Sequence, residues 1–159
     1  DSTIQSSYDG WDVKRAYLDD QSTANAKTNI LGAINDGTSL VNFYGHASTS
    51  TWAKSAVLSS SDASLLNGDN PTVLAQWACW SSYYVDPQAD TLAMRFLMDP
   101  EGGAVSAAGA VSRTSGKAEI EFAGYFNSFT SGANGGASLG EAVLKAKRAL
   151  AKSRPGNRD

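Results

Sequence analysis

The chain has 159 residues, enough for one domain with a real core, with a formal net charge of −3 and only 18% charged residues. No basic run precedes the C-terminal end, which argues against nucleic acid as a partner, and no apolar run reaches the ~18 residues that a membrane span needs. One cysteine, Cys79, and one histidine, His46, exclude an internal disulfide and a zinc site built from Cys and His ligands.

The opening DSTIQSSYDG reads as a mature N-terminus or as the start of a piece of a longer protein. Trp11 to Leu18 alternates weakly and is expected as a strand. STANAKTNILGAIND follows, with Ser22 or Thr23 as N-cap. Ala26, Ile30, Leu31 and Ile34 share one face of it, and Gly37 stands past its end. Ser39 to Tyr44 is short and apolar, and is expected as a buried strand. The polar loop HASTSTW comes next, then a short helix in SSSDASLL with a Gly-Asp-Asn-Pro stop. Thr72 to Ala78 reads as a second buried strand and ends at Cys79. Ala89, Leu92, Ala93, Phe96 and Leu97 recur at helical spacing, and PEGG breaks that helix. AVSAAGAV reads as a third buried strand whose small residues let other backbone approach. AEIEFAGYFNSF is a helix with Phe122, Tyr125, Phe126 and Phe129 on one face, and TSGANGG a flexible loop. SLGEAVLKAKRALAKS is the last helix, with Leu139, Ala142, Val143, Ala146 and Leu150 inward and basic residues toward its C-terminal end.

Short apolar strands alternating with amphipathic helices predict an α/β domain with a mainly parallel sheet. One such domain is expected over residues 1–153, with 154–159 as a loose tail. The motifs DGWD and NGDN are oxygen-rich, but neither follows EF-hand spacing, and ordinary turns explain both. No metal or other cofactor is expected. GASLG matches the serine-hydrolase elbow, yet no strand precedes it. Ser138 with Glu141 three residues on is a capping box instead.

In parallel sheets, ligands bind beyond the C-terminal strand ends. His46 follows one expected strand and Cys79 ends the next, 33 residues on, which leaves room for one crossover and a return strand. A thiol near an imidazole can act as a thiolate nucleophile, and backbone amides of the loops can stabilise an oxyanion. Each residue also has a plain structural reading: Cys79 as a small buried hydrophobe and His46 as a loop brace. Asp86 and Asp90 lie near the inferred site. Either would favour a basic residue before a cut, although helix capping is the simpler reading of Asp90.

SLVNFYGHASTSTW, PTVLAQWAC, GGAVSAAGAVS and SLGEAVLKAKRAL resemble, in that order, the second half of the catalytic domain of gingipain-type cysteine peptidases, family C25. The resemblance runs from Val13 to Lys152. It implies a caspase-like three-layer α/β sandwich, in part, and a cysteine endopeptidase working through an acyl-enzyme. It maps His46 and Cys79 onto the catalytic dyad and the amides of Ala47 and Cys79 onto the oxyanion hole. Ala110, Val111, Ser112 and Arg113 would border the pocket for the residue before the scissile bond. In such enzymes the histidine mainly protonates the leaving amine.

Three departures accompany the resemblance. Ala47 stands where the family usually has glycine, and a site requiring positive φ would strain it. Trp80 and SSYY follow the cysteine and are bulky enough to fill a cleft. The family domain is longer, and its upstream strands carry an acidic residue that assists the histidine. A partial sheet has an exposed edge, so self-association or pairing with an N-terminal half is expected. The expected partner is a protein or peptide substrate, with no nucleic acid and no membrane span. The low-charge, hydroxyl-rich composition and the resemblance together suggest a secreted or cell-surface bacterial protein. The alternatives are a catalytically dead homologue serving as a binding or scaffold domain, and an unrelated α/β domain in which Cys79 is core.

Overall fold

Ser22 opens the first regular element among the described residues. Its side chain accepts a hydrogen bond from the Asn25 amide, and helix α1 (Thr23–Asn35) runs until the amide of Asp36 turns back to Gly32 and Ile34. Gly37 takes φ +99° just beyond, the left-handed conformation that ends many helices. The computed structural model describes residues 8, 10–100, 103–131 and 136–154. These form two compact units, Lys14–Thr114, and Asp1–Val13 with Ser115–Asp159.

In the first unit, α1 is followed by β1 (Leu40–Tyr44), a small hairpin of β2 (Thr51–Trp52) and β3 (Leu58–Ser59), and a 3-10 helix (Ser60–Leu65). Then come β4 (Thr72–Trp77), α2 (Leu92–Met98) and β5 (Ala104–Gly109). The sheet order is β1-β4-β5 and both pairings are parallel. Only the central strand β4 is buried along nearly its whole length. The flanking strands β1 and β5 form the edges among the described residues, so they are half-exposed rather than buried, and Val105 is 65% exposed. No strand forms over Trp11 to Leu18. Trp11, Tyr17 and Leu18 are exposed there, and weak alternation without a neighbour to pair with does not hold a strand.

The core of this unit joins Ala26 and Ile34 of α1, Trp52 and Leu58 of the hairpin, Leu74 of β4, and Leu92 and Phe96 of α2. The Trp52 ring stacks on Phe43 at 4.4 Å, and its Nε1–H donates to Gln76 Oε1 at 2.7 Å. Gln76 is a polar residue near the C-terminal end of the central strand, 1% exposed, so this bond is what makes its burial tolerable. Trp52→Phe keeps the ring stack but leaves the Gln76 oxygen unpaired. The expected loss is ~1–3 kcal/mol, read as a lower urea midpoint with an unchanged slope.

Asp62 anchors the 3-10 helix. It is buried and accepts from the Ser59 amide and hydroxyl, both at 2.8 Å, while Lys27 Nζ lies 2.8 Å away. Burial works to raise its pKa. The bonds from Lys27 and Ser59 outweigh that and hold the carboxyl below its ordinary value of 3.8. A lowered carboxylate contributes stability that is complete above that ordinary value and is lost as pH falls through the folded one. Asp62→Asn is therefore expected to destabilise the protein at neutral pH by ~1–3 kcal/mol. The difference from wild type should shrink below about pH 4, as thermal melts across pH would show.

The second unit contains α3 (Gly116–Thr130) and α4 (Leu139–Ser153), which pack on one another. Ala123 and Phe126 of α3 and Ala142 and Ala146 of α4 are fully buried, whereas Leu139, Val143 and Leu150 are half-buried. The buried Tyr8 hydroxyl donates to Asn127 Oδ1 at 2.7 Å. The box at the start of α4 is present in both directions, Ser138 with the Glu141 amide and Glu141 with the Ser138 amide, so the GASLG serine is a helix cap. Among the described residues no helix is long and apolar enough to cross a membrane. Asp9 of DGWD, Glu101 and Gly102 of PEGG, residues 132–135 of TSGANGG, and residues 155–159 of the expected tail lie outside the described residues.

Candidate active site

β1 and β4 run side by side with Tyr44 opposite Trp77. His46 and Cys79 each stand two residues past that pair, on neighbouring strand exits. Adjacent strands lie ~4.8 Å apart, so the chain delivers the only imidazole and the only thiol to one end of the sheet. Gly45 eases the exit. A Cβ there would come within 3.0 Å of the Phe43 ring that stacks on Trp52. The Gly45 amide donates to Trp77 O at 3.5 Å, and the carbonyl of His46 accepts from the Ala53 amide at 2.7 Å. The hairpin thus pins the histidine backbone, while its ring is exposed and makes no hydrogen bond among the described residues.

Ala47 bridges to Trp52 in a pairing that uses the carbonyl of His46 and the amide of Ser48, leaving its own amide out of the ladder. Its φ is not positive, so alanine here carries none of the strain expected from replacing glycine. Among the described residues neither the Ala47 amide nor the Cys79 amide donates a hydrogen bond.

The half-buried Cys79 thiol is held from one side. Its Sγ accepts from the Thr114 amide at 3.3 Å, and it lies 3.3 Å from Thr114 Oγ1 and 3.6 Å from Thr114 O. The following turn is laced to the segment after β5. The Trp80 amide donates to Ser112 O at 3.1 Å, the Ser82 amide to Ala110 O at 2.9 Å, and the Ala110 amide to Ser81 Oγ at 3.3 Å. This close approach needs the small residues of β5. A Cβ on Gly109 would meet Ser82 Oγ at 2.5 Å and Ser81 Oγ at 2.6 Å.

Ala110 and Ser112 are therefore bonded to the turn that follows Cys79, and the exposed Val111 and Arg113 lie on the same segment. Trp80 takes φ +60°, is 38% exposed, and meets Tyr83 edge to face at 5.3 Å. The two acids expected near the site, Asp86 and Asp90, are engaged locally. Asp86 accepts from the Gln88 amide at 2.9 Å. Asp90 pairs with Arg95 and accepts from Ser60 Oγ at 3.1 Å, and Arg95 chiefly holds its carboxyl below the ordinary range. The cap of α2 is the Thr91 side chain, not Asp90. Among the described residues no three His, Cys, Asp or Glu side chains cluster as metal ligands. Thr114 is the contact that sequence reasoning missed, one position past the segment it singled out.

No curated protein matches the chain in sequence. Among solved structures, the crystal structure of the Arg-specific cysteine proteinase gingipain R (RgpB) matches at a TM-score of 0.71 with 18% identity, over 82% of this chain and 32% of that one. The complex of the Porphyromonas gingivalis RgpB pro- and mature domains matches at a TM-score of 0.69, again with 18% identity, 82% of this chain and 32% of that one. A third structure, of a protease, matches at 0.64 with 16% identity over 80% of this chain and 32% of that one. The chain thus spans about a third of the length of the solved chains it matches and shares the caspase-like α/β fold of gingipain R. The family model for peptidase family C25 matches residues 1–159, from end to end, and the chain belongs to that family.

Proposed function

We propose that this chain is the His/Cys part of a cysteine endopeptidase that cuts peptide bonds through an acyl-enzyme. The observation that carries the reading is the pairing of His46 and Cys79 on adjacent exits of one parallel sheet, with the amides of Ala47 and Cys79 unengaged beside them. The Cys79 thiolate attacks the peptide carbonyl carbon, and the negative charge moves to the carbonyl oxygen, where the two amides meet it. The C–N bond breaks as His46 gives its proton to the departing amine. Water then adds to the thioester, and the carboxylic acid leaves with the thiol regenerated. The segment 110–113, laced to the cysteine turn, supplies the wall beside the residue preceding the cut.

The reading extends to the surroundings. The half-exposed edge strands β1 and β5 suit pairing with an N-terminal half of the catalytic domain or with a second copy. A secreted or cell-surface setting fits the low-charge composition. The test is hydrolysis of an unfolded protein by the natural protein that carries this chain, before and after one equivalent of iodoacetamide. Cleavage that disappears in step with alkylation of Cys79 is expected. Cleavage that survives complete alkylation would overturn the reading.

A further inference from the structure

We propose that Thr114 is the positioning residue that aims the Cys79 sulfur and holds it as a thiolate. The inference rests on the reading of Cys79 as nucleophile. It assigns to Thr114, rather than to His46, the hydrogen bonds that the resting sulfur makes. The Thr114 amide and hydroxyl both lie 3.3 Å from Sγ, whereas the imidazole makes no hydrogen bond among the described residues.

The chemistry of sulfur gives this geometry a direction. A thiol has one proton to donate, and either the Thr114 carbonyl, 3.6 Å away, or its Oγ1, 3.3 Å away, can accept it. A thiolate donates nothing and accepts several bonds. When the proton leaves to water, the Thr114 amide already faces the sulfur, and the hydroxyl needs only to rotate its hydrogen. Hydrogen bonds to the charged form favour that form. Thr114 is also held in place. Ser112, two residues before it, is tied to the Trp80 amide at 3.1 Å, and Ala110 is tied to Ser82 at 2.9 Å. The segment that borders the cleft therefore also fixes the nucleophile, and movement of one carries the other. With the sulfur prepared in this way, His46 is free to serve the leaving amine.

The experiment is the pH dependence of Cys79 alkylation by iodoacetamide in wild type, Thr114→Val, Thr114→Ser and His46→Ala. Cys79 is the only cysteine in these 159 residues, and peptide mapping assigns the alkylation to it. Valine keeps the shape and the amide but removes the hydroxyl. It is expected to move the profile to higher pH and to slow alkylation at pH 7 by roughly 3- to 10-fold, which corresponds to half to one unit. Serine is expected to restore the wild-type profile, and His46→Ala to shift it less than valine does. Far-UV circular dichroism checks folding, and Thr114→Ala replaces the valine variant if that one does not fold. A valine profile that coincides with wild type, or a serine profile displaced as far as valine's, overturns the proposal. Hydrolysis is not part of this readout. A wild type that alkylates as expected but cleaves nothing counts against the peptidase reading and leaves Thr114 decided.

Discussion

Cys79→Ala is expected to abolish peptide hydrolysis, by a factor on the order of 10⁴ or more, while leaving the fold intact. The loss is large because the acyl-enzyme forms on Cys79, the only thiol among these 159 residues. Ser81 is nearby, but its hydroxyl is buried, lies within hydrogen-bond distance of the Gln76 and Ala78 carbonyls, and accepts from the Ala110 amide. It is a brace for the turn and is not placed to substitute. Stability should change by no more than about 1 kcal/mol, the usual scale for a change outside the core. The thiol is half-buried, and water can take its place against the Thr114 amide. Steady-state hydrolysis with a parallel thermal melt separates the two effects. Activity lost together with the fold would assign Cys79 to structure instead.

His46→Ala is expected to lower kcat by about 10²- to 10⁴-fold, the range for a positioned acid or base. The pattern across substrates matters more than the size. The account gives His46 the task of protonating the departing amine. An amide substrate therefore loses more than an ester with the same acyl group, because an alkoxide leaves with less help than an amine. Equal losses on ester and amide would place His46 in the attack step and contradict its assignment as acid. Trp52→Phe tests the frame around it, since the same hairpin that pins the His46 carbonyl is tied by Trp52 to Gln76.

Much of this was legible in the chain. Apolar recurrence at helical spacing marked α1, α2, α3 and α4. The runs LVNFY and TVLAQW marked the two strands whose exits carry His46 and Cys79. Ser138 with Glu141 marked a cap because two reciprocal side-chain bonds need only local sequence. What was not legible has physical causes. The β2–β3 hairpin turns through Ala53 and Ala56 at φ +58° and +52°, and alanine gives none of the signals that glycine or asparagine would give at such positions. Burial of β1 and β5 was overestimated because apolar composition does not reveal whether a strand has one neighbour or two. Thr114 was invisible because its contact with the sulfur spans 35 residues and depends on the register between β4 and β5, which periodicity does not fix.

In the proposed mechanism Cys79 carries the acyl group. The most direct test is intact-mass and peptide-mapping mass spectrometry after reaction with a peptidyl acyloxymethyl ketone. The ketone's methylene carbon is captured by a catalytic thiolate, with loss of the carboxylate. One adduct is expected, mapped to the peptide containing Cys79, absent in Cys79→Ser and much slower to form in His46→Ala. Labelling of any other residue, or continued proteolysis with Cys79 unmodified, would contradict it.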